Sequence, residues 1–324
     1  MKHISFVKQN YLLLLGVMGI LTTGCIKEEL DACKNNKLTL KVENAGGQDI
    51  TPLGDVRDAS LYFFDEELNF LEKRNLDLDF ITSRQEIELK NYPSDRKLHI
   101  VAWGNLGDEK NQTVTDAKTI EDLKLMLKSD NGVVSQTPDS LFYGKKDVTT
   151  MDGGVAGLDT VVVRLKVGTF TIKTEGLENA QRVYGLKSSG EYNFGMTNTL
   201  DTYDYTGTQT GSIISYKPDS EADPRETKEW STTGQMDKVA TGKRLYGGRQ
   251  NAFSGEKLSV SIDYNGQTLG TVSEAENTQT GEMEPINIVN SQRTDIILVF
   301  KKDGSLSAKI RVTPWGVVDD DIIL

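Results

Sequence analysis

Cys25 offers the clearest chemistry in this chain of 324 residues. A thiol is among the most nucleophilic side chains near neutral pH and readily accepts an alkyl or acyl group. One other cysteine, Cys33, follows closely. If Cys25 is held as a thioether it forms no disulfide. Cys33 is then either a small buried hydrophobe near the start of the folded body, its commoner role, or a reactive thiol. His99 lies within Lys97-Leu98-His99-Ile100-Val101-Ala102-Trp103 and reads as a packed strand residue rather than a base. Asp319-Asp320-Asp321 clusters carboxylates without the glycine-shaped loop of a calcium site, so it reads as solvated and no metal is assigned. Tyr203, Tyr205, Tyr246 and Trp230 stand in polar stretches, where a ring can stack on a sugar but also occurs without function. There is no Gly-x-Ser-x-Gly, HExxH, phosphate loop or Cys-x-x-Cys. The expectation is a protein without a catalytic residue or a cofactor.

The surroundings of Cys25 explain its chemistry. Lys2 and Lys8 precede an apolar run from Tyr11 to Leu21, which ends in Leu21-Thr22-Thr23-Gly24-Cys25. A basic start, an apolar stretch too short for a comfortable span, and small residues before a cysteine resemble a bacterial lipobox. This resemblance implies a signal peptide over residues 1–24, cleavage between Gly24 and Cys25, and N-palmitoyl and S-diacylglycerol groups on Cys25. Each buried methylene adds about 0.8 kcal/mol of membrane affinity, so several acyl chains hold a protein almost permanently. No later segment reads as a transmembrane helix, and residues 25–36 read as a lipidated polar tether.

The body beyond the tether is acidic. The whole chain carries a net charge of −11, and Lys2 and Lys8 are the only charged groups before Cys25 except for His3. Such a chain is poorly suited to nucleic acid, and charge alone would not hold it to anionic headgroups. Strand patterns recur along it. Leu38, Leu40 and Val42 alternate on one face. Ala59–Asp65 and Leu68–Glu72 flank an acidic turn, and Gln85–Leu89 and Lys97–Trp103 follow. Thr119-Ile120-Glu121-Asp122 has the spacing of a capping box, and Ile120, Leu123 and Leu127 share a helical face, which predicts one short helix up to Lys128. Leu141-Phe142-Tyr143-Gly144 reads as a short buried segment, and Asp159–Val167 as a long strand broken at Gly168. In the second half, Ser212–Tyr216 reads as a strand and Lys217–Gly234 as a loop. Lys257–Tyr264 and Gln267–Val272 join through Asn265-Gly266, the tight-turn pair of a hairpin, and Thr294–Phe300 and Leu306–Val312 form another. Short strands joined by short connections indicate antiparallel sheet and a sandwich. The boundary between halves is placed near residue 168, giving sandwiches over 37–168 and 169–324.

Several segments together resemble the fimbrial anchoring-subunit family of Bacteroidales, lipoproteins that fix type V fimbriae to the outer membrane. They are the lipobox with Cys25 and Cys33, Leu61-Tyr62-Phe63-Phe64-Asp65-Glu66 followed by Phe70-Leu71, Val101-Ala102-Trp103-Gly104-Asn105-Leu106, and Ser140-Leu141-Phe142-Tyr143-Gly144. The resemblance implies an all-β chain of two tandem transthyretin-like (Greek-key) sandwich domains with one short helix. It implies a surface location and a role in anchoring the fimbrium and limiting its length, through strand-exchange-type contact with the adjacent shaft or stalk pilin. Lys27-Glu28-Glu29 looks like the Lys-acid-acid signal that sends Bacteroidetes lipoproteins to the outer face of the outer membrane. Asp139-Ser140-Leu141 and Asp159-Thr160-Val161 resemble the O-glycosylation acceptor of the same phylum, at Ser140 and Thr160. Shaft precursors of this system mature by cleavage after an arginine, and the stretch from Cys25 to Leu38 has none, which favours an anchor. Two alternatives stay open: a fimbrial tip adhesin, and a surface glycan-binding lipoprotein, which predicts a flat exposed platform of several Trp or Tyr. For exchange, the terminal segment Leu306–Leu324 is one candidate, although Leu306–Val312 is expected to complete its own sandwich.

Overall fold

The computed structural model of the chain describes residues 36–315, apart from 90–91, 94, 108–110, 152–156, 188–189, 219, 223–227, 231–235 and 239–243. The first half contributes β1 (Lys37–Glu43), β2 (Asp58–Phe64), β3 (Phe70–Asp77), β4 (Ile87–Glu88), β5 (Lys97–Gly104), β6 (Gln112–Val114), β7 (Leu125–Leu127), β8 (Ser129–Asp130), β9 (Val133–Val134), β10 (Phe142–Thr149) and β11 (Leu158–Leu165). The second contributes β12 (Gly168–Glu175), β13 (Tyr192–Tyr203), β14 (Gln209–Tyr216), β15 (Glu221–Ala222), β16 (Lys228–Trp230), β17 (Met236–Lys238), β18 (Leu245–Ala252), β19 (Ser259–Tyr264), β20 (Gln267–Val272), β21 (Glu274–Asn277), β22 (Met283–Pro285), β23 (Gln292–Phe300) and β24 (Leu306–Pro314). Among the described residues the α-helices are a single turn, α1 (Leu78–Thr82), and the two-turn α2 (Leu177–Tyr184).

The strands form three large sheets. One runs β3-β2-β5-β10-β11-β1-β4, a second runs β15-β18-β12-β23-β24-β21-β22, and a third runs β20-β19-β13-β14-β9-β8 with β7 also paired to β13 and β6 to β7. The all-β sandwich expectation holds. The third sheet draws β6–β9 from the first half and β13, β14, β19 and β20 from the second, so the halves share it. It faces the second sheet through Phe170 and Tyr216, whose rings meet edge to face at 5.9 Å. It meets the first through Trp103 and Tyr203, at 6.0 Å. The buried apolar side chains accordingly form one contiguous core.

Alternation places that core. Leu38, Leu40 and Val42 of β1 are almost fully buried, while the residues between them are half-exposed. Each such side chain contributes about 1.5–3 kcal/mol by leaving water. The Asn265-Gly266 turn joins β19 to β20 with φ of 47° and 80°, the left-handed pair that a tight hairpin needs.

Four expectations are corrected. The helix predicted at Ile120–Lys128 is a 3-10 turn over Ile120–Asp122 followed by β7. The capping box forms, but Leu123 is already extended at φ −72° and ψ 107°. Leu125 and Leu127 are buried around half-exposed Met126, a period of two that suits pairing with β6 and β13. The supposed short segment at Leu141–Gly144 leads into the eight-residue β10, which begins at Phe142, and the supposed loop over Lys217–Gly234 contains β15 and β16. Finally, four of the pairings are parallel and long-range: β1 with β11 and β12 with β23 over seven pairs each, and the shorter β9 with β14 and β21 with β24.

Candidate functional site

The tether chemistry falls before the described residues. Gly24, Cys25, Lys27, Glu28, Glu29 and Cys33 all lie outside them, and so do Asp319, Asp320 and Asp321. Asn36 accepts from the Leu89 amide at 2.9 Å, and the Lys37 amide donates to Gly157 O at 2.9 Å. β1 then runs inside its sheet between β11 and β4. At its far end Glu43 accepts from Lys41 Nζ at 2.8 Å and pairs with the Arg164 guanidinium of β11. The Lys41 hydrogen bond, and then the Arg164 charge, hold the Glu43 carboxyl below the usual range against the opposing effect of burial.

The halves are joined by a compact polar-aromatic knot. The Lys166 amide donates to Leu141 O at 2.7 Å, and its carbonyl accepts from Tyr203 Oη at 3.0 Å. Its ammonium lies over the rings of Tyr143 and Tyr203, 5.5 and 5.3 Å from their centroids. Burial pushes the Lys166 amine down, with Asp204 opposing. Burial pushes the Tyr143 phenol up, and it donates to Tyr205 O at 2.9 Å. Trp103 closes the knot against Tyr143, with centroids 4.8 Å apart. Two of the aromatics read as loop residues are therefore structural: Tyr203 is 1% exposed and Tyr205 half-buried under Lys145. Tyr246 lies in β18, and the side chain of Trp230 is outside the described residues.

The other sequence candidates are placed plainly. His99 is buried in β5, with Nδ1 2.8 Å from Asp147 Oδ1, as a packed strand residue. Ser140 is half-buried, its Oγ 3.5 Å from Asn251 Nδ2. Thr160 is half-buried on β11, its Oγ1 3.2 Å from Thr39 Oγ1. No group of three or more His, Cys, Asp or Glu among the described residues could hold a metal ion. No helix among them is long and apolar enough to cross a membrane.

What remains for contact are edges and a cleft. β3 ends the first sheet with Phe70 and Leu71 exposed by 37% and 41%. Its first residue is capped by Phe70 N donating to Lys118 O at 2.8 Å, and the strand beyond is an open edge. β24, by contrast, is interior: all nine residues pair with β23, and Lys309 and Ile310 pair with β21. A cleft of 810 Å³ opens where the halves meet, with Leu53, Arg57, Asp139, Phe142 and Trp315 in its walls. Among the described residues its lining includes no histidine, cysteine or lysine. Among the described residues the exposed large aromatics are Phe70 and Tyr184, which lie in different parts of the fold and form no platform. Sequence reasoning missed the Lys166 knot, whose partners are far apart in the chain.

Comparison with known proteins fits this arrangement. The chain is 26% identical over 313 residues to the major fimbrium anchoring subunit FimB of Porphyromonas gingivalis, covering 95% of this chain and 94% of that one. It is 28% identical over 316 residues to the FimB of another strain, covering 95% and 94%. Among solved structures, the fold is similar to a putative polysaccharide binding protein from Bacteroides thetaiotaomicron, with a TM-score of 0.62 and 16% identity over 86% of this chain and 96% of the other. It is also similar to the fimbrial anchor protein Mfa2 from Porphyromonas gingivalis, with a TM-score of 0.54 and 16% identity over 86% and 98%. A family pattern matches residues 29–321, and the chain belongs to that family, the fimbrillin-A associated anchor proteins Mfa1 and Mfa2.

Proposed function

We propose that the chain anchors a type V fimbrium to the cell surface, as an outer-membrane lipoprotein acylated on Cys25, and limits the length of the fibre. The observation that carries this reading is the anchor-family match over residues 29–321, which begins four residues after the lipobox cysteine. The relatives named as fimbrium anchoring subunits match along nearly their whole length. On this reading residues 1–24 are removed, Lys27-Glu28-Glu29 directs the protein outward, and the halves 37–168 and 169–324 form the body. The partner is the adjacent shaft or stalk pilin, and contact is of the strand-exchange type. Because β24 is used within its own sheet, exchange falls to the tail 316–324 or to an open edge such as β3. Ser140 and Thr160 are proposed as glycan acceptors on their sequence context.

Deleting the gene and imaging the cells tests the proposal. Fimbriae shed into the medium, or abnormally long, are expected; normal fimbriae with lost polysaccharide binding would refute it. Metabolic labelling with a palmitate analogue should mark the wild type and not Cys25→Ala. Deleting residues 316–324 and finding fimbriae attached at normal length would exclude the tail as the exchanged segment.

A further inference from the structure

We infer that the β1–β11 ladder is a mechanical clamp, which carries load between the tether and the second half of the protein in shear. The use of this clamp in the cell rests on the anchoring reading; its geometry does not. β1 and β11 run parallel over seven residue pairs, from Lys37 with Leu158 to Glu43 with Arg164. The tether enters β1 at its N-terminal end. β11 leaves the ladder at its C-terminal end and reaches β12 through Lys166 and Val167 alone. A pull on the tether, resisted by the second half, therefore drags β1 toward its start and β11 toward its finish. The two forces oppose one another along strands that point the same way. Every hydrogen bond of the ladder must then stretch together, and Leu38, Leu40 and Val42 must slide in the core at the same moment. Pulled apart sideways, the same bonds would break one at a time.

Both edges of β1 are gripped. Apart from β4 at its start, the segment after it folds back at its end: Ile50 N donates to Val42 O at 2.9 Å, and Val42 N donates to Thr51 Oγ1 at 2.9 Å. Cross-strand side chains resist slip, with Thr39 against Thr160 near the start and Glu43 against Arg164 at the end. The exit of β11 is pinned in turn by the Lys166 contacts. The second half contains a ladder of the same length, in which β12 runs parallel to β23 over seven pairs, from Thr169 with Arg293 to Glu175 with Val299. Forced unfolding is governed by the unfolding barrier rather than by equilibrium stability, so the direction of load decides strength here.

Single-molecule pulling on the purified chain from residue 25 onward, with Cys25 and Cys33 replaced by serine, tests the clamp. One handle sits on the N-terminus. The second is an introduced cysteine, either Met283→Cys in β22, which is 63% exposed, or Leu158→Cys, which is 58% exposed and directly opposite Lys37. The first geometry shears the ladder and the second peels it. Both substitutions are at exposed side chains, and circular dichroism checks that each variant is folded. The first rupture is expected at a force at least threefold higher in shear than in peel. Equal forces in the two geometries overturn the clamp. The lipid on Cys25 is read separately by the palmitate label, so a lost label refutes the tether while a lost force ratio refutes the clamp.

Discussion

Removing Arg293 should destabilise the protein far more than removing Arg293 and Asp295 together. The two stand two residues apart on β23, hence on one face of the sheet, and are 8% and 1% exposed. Asp295 Oδ1 accepts from Arg293 Nε at 3.0 Å and Nη2 at 2.8 Å, and from the hydroxyl of Thr171, its register partner on β12. Asp295 Oδ2 has no hydrogen-bond partner. This is a buried ion pair whose desolvation is only partly offset, so the pair itself adds little net stability. Breaking it is another matter. Arg293→Met leaves a buried carboxylate with one neutral donor, at a cost of about 3–5 kcal/mol. For a chain of this size that corresponds to a fall in Tm of roughly 6–15 °C. Arg293→Met with Asp295→Leu removes both charges and fills similar volume, and should lie within about 1 kcal/mol of the wild type or above it. Urea unfolding followed by far-UV circular dichroism measures both. A single variant that costs under about 1 kcal/mol, or a double variant as unstable as the single, would refute the argument from burial.

Three further outcomes follow from packing and charge. Gly144 has room for no Cβ, which would sit 2.2 Å from Val162 O, so Gly144→Ala must part β10 from β11 and should cost about 1–3 kcal/mol in the same urea assay. Trp103 is fully buried with its indole N–H unpartnered, so Trp103→Phe removes an unsatisfied donor and should cost about 1 kcal/mol, against about 3–5 kcal/mol for Trp103→Ala. For pH, several carboxyls are held below their ordinary range, among them Glu43 by Lys41 and Arg164, Asp49 by the hydroxyl of Thr51 and the charge of Arg84, and Asp147, against burial, by Lys97 and His99. Between those lowered values and the unfolded value of about 4, the unfolded chain binds more protons. Their contribution is thus full above about pH 5 and is lost as pH falls through the folded values. The urea midpoint should drop from pH 6 to pH 3, and less steeply in Glu43→Gln; an unchanged slope in that variant would count against the Glu43 contacts.

Local pattern made much of the fold legible. Alternation marked β1 and β19, because one face of each strand meets the core, whereas β2 and β5 are buried on both faces and were marked by continuous apolar runs. Leu123 to Leu127 misled because apolar residues four apart satisfy a helix, and the deciding partner, Tyr203 opposite Leu125, lies far along the chain. The same holds for the β1–β11 and β12–β23 ladders, whose partners are separated by most of a half-chain and leave no local signature. α2 was overlooked because only Leu177 and Ala180 of its eight residues are buried. At the candidate site, His99 was placed by its apolar neighbours, whereas the Lys166 knot collects Trp103, Tyr143 and Tyr203 from three strands far apart in the sequence.

The shared third sheet also sets a timetable. A chain made from its N-terminus exposes β7 well before β13 exists, and at about 5–20 residues per second the wait is on the order of ten seconds. β1 waits longer for β11, and β12 for β23. Until then the early strands carry bare backbone edges, the surfaces on which chains pair wrongly with one another. Pairings this remote also fold slowly once the whole chain is present. A nascent copy therefore passes its early life as an aggregation hazard, one that lasts until Tyr203 has arrived beside Leu125 of β7.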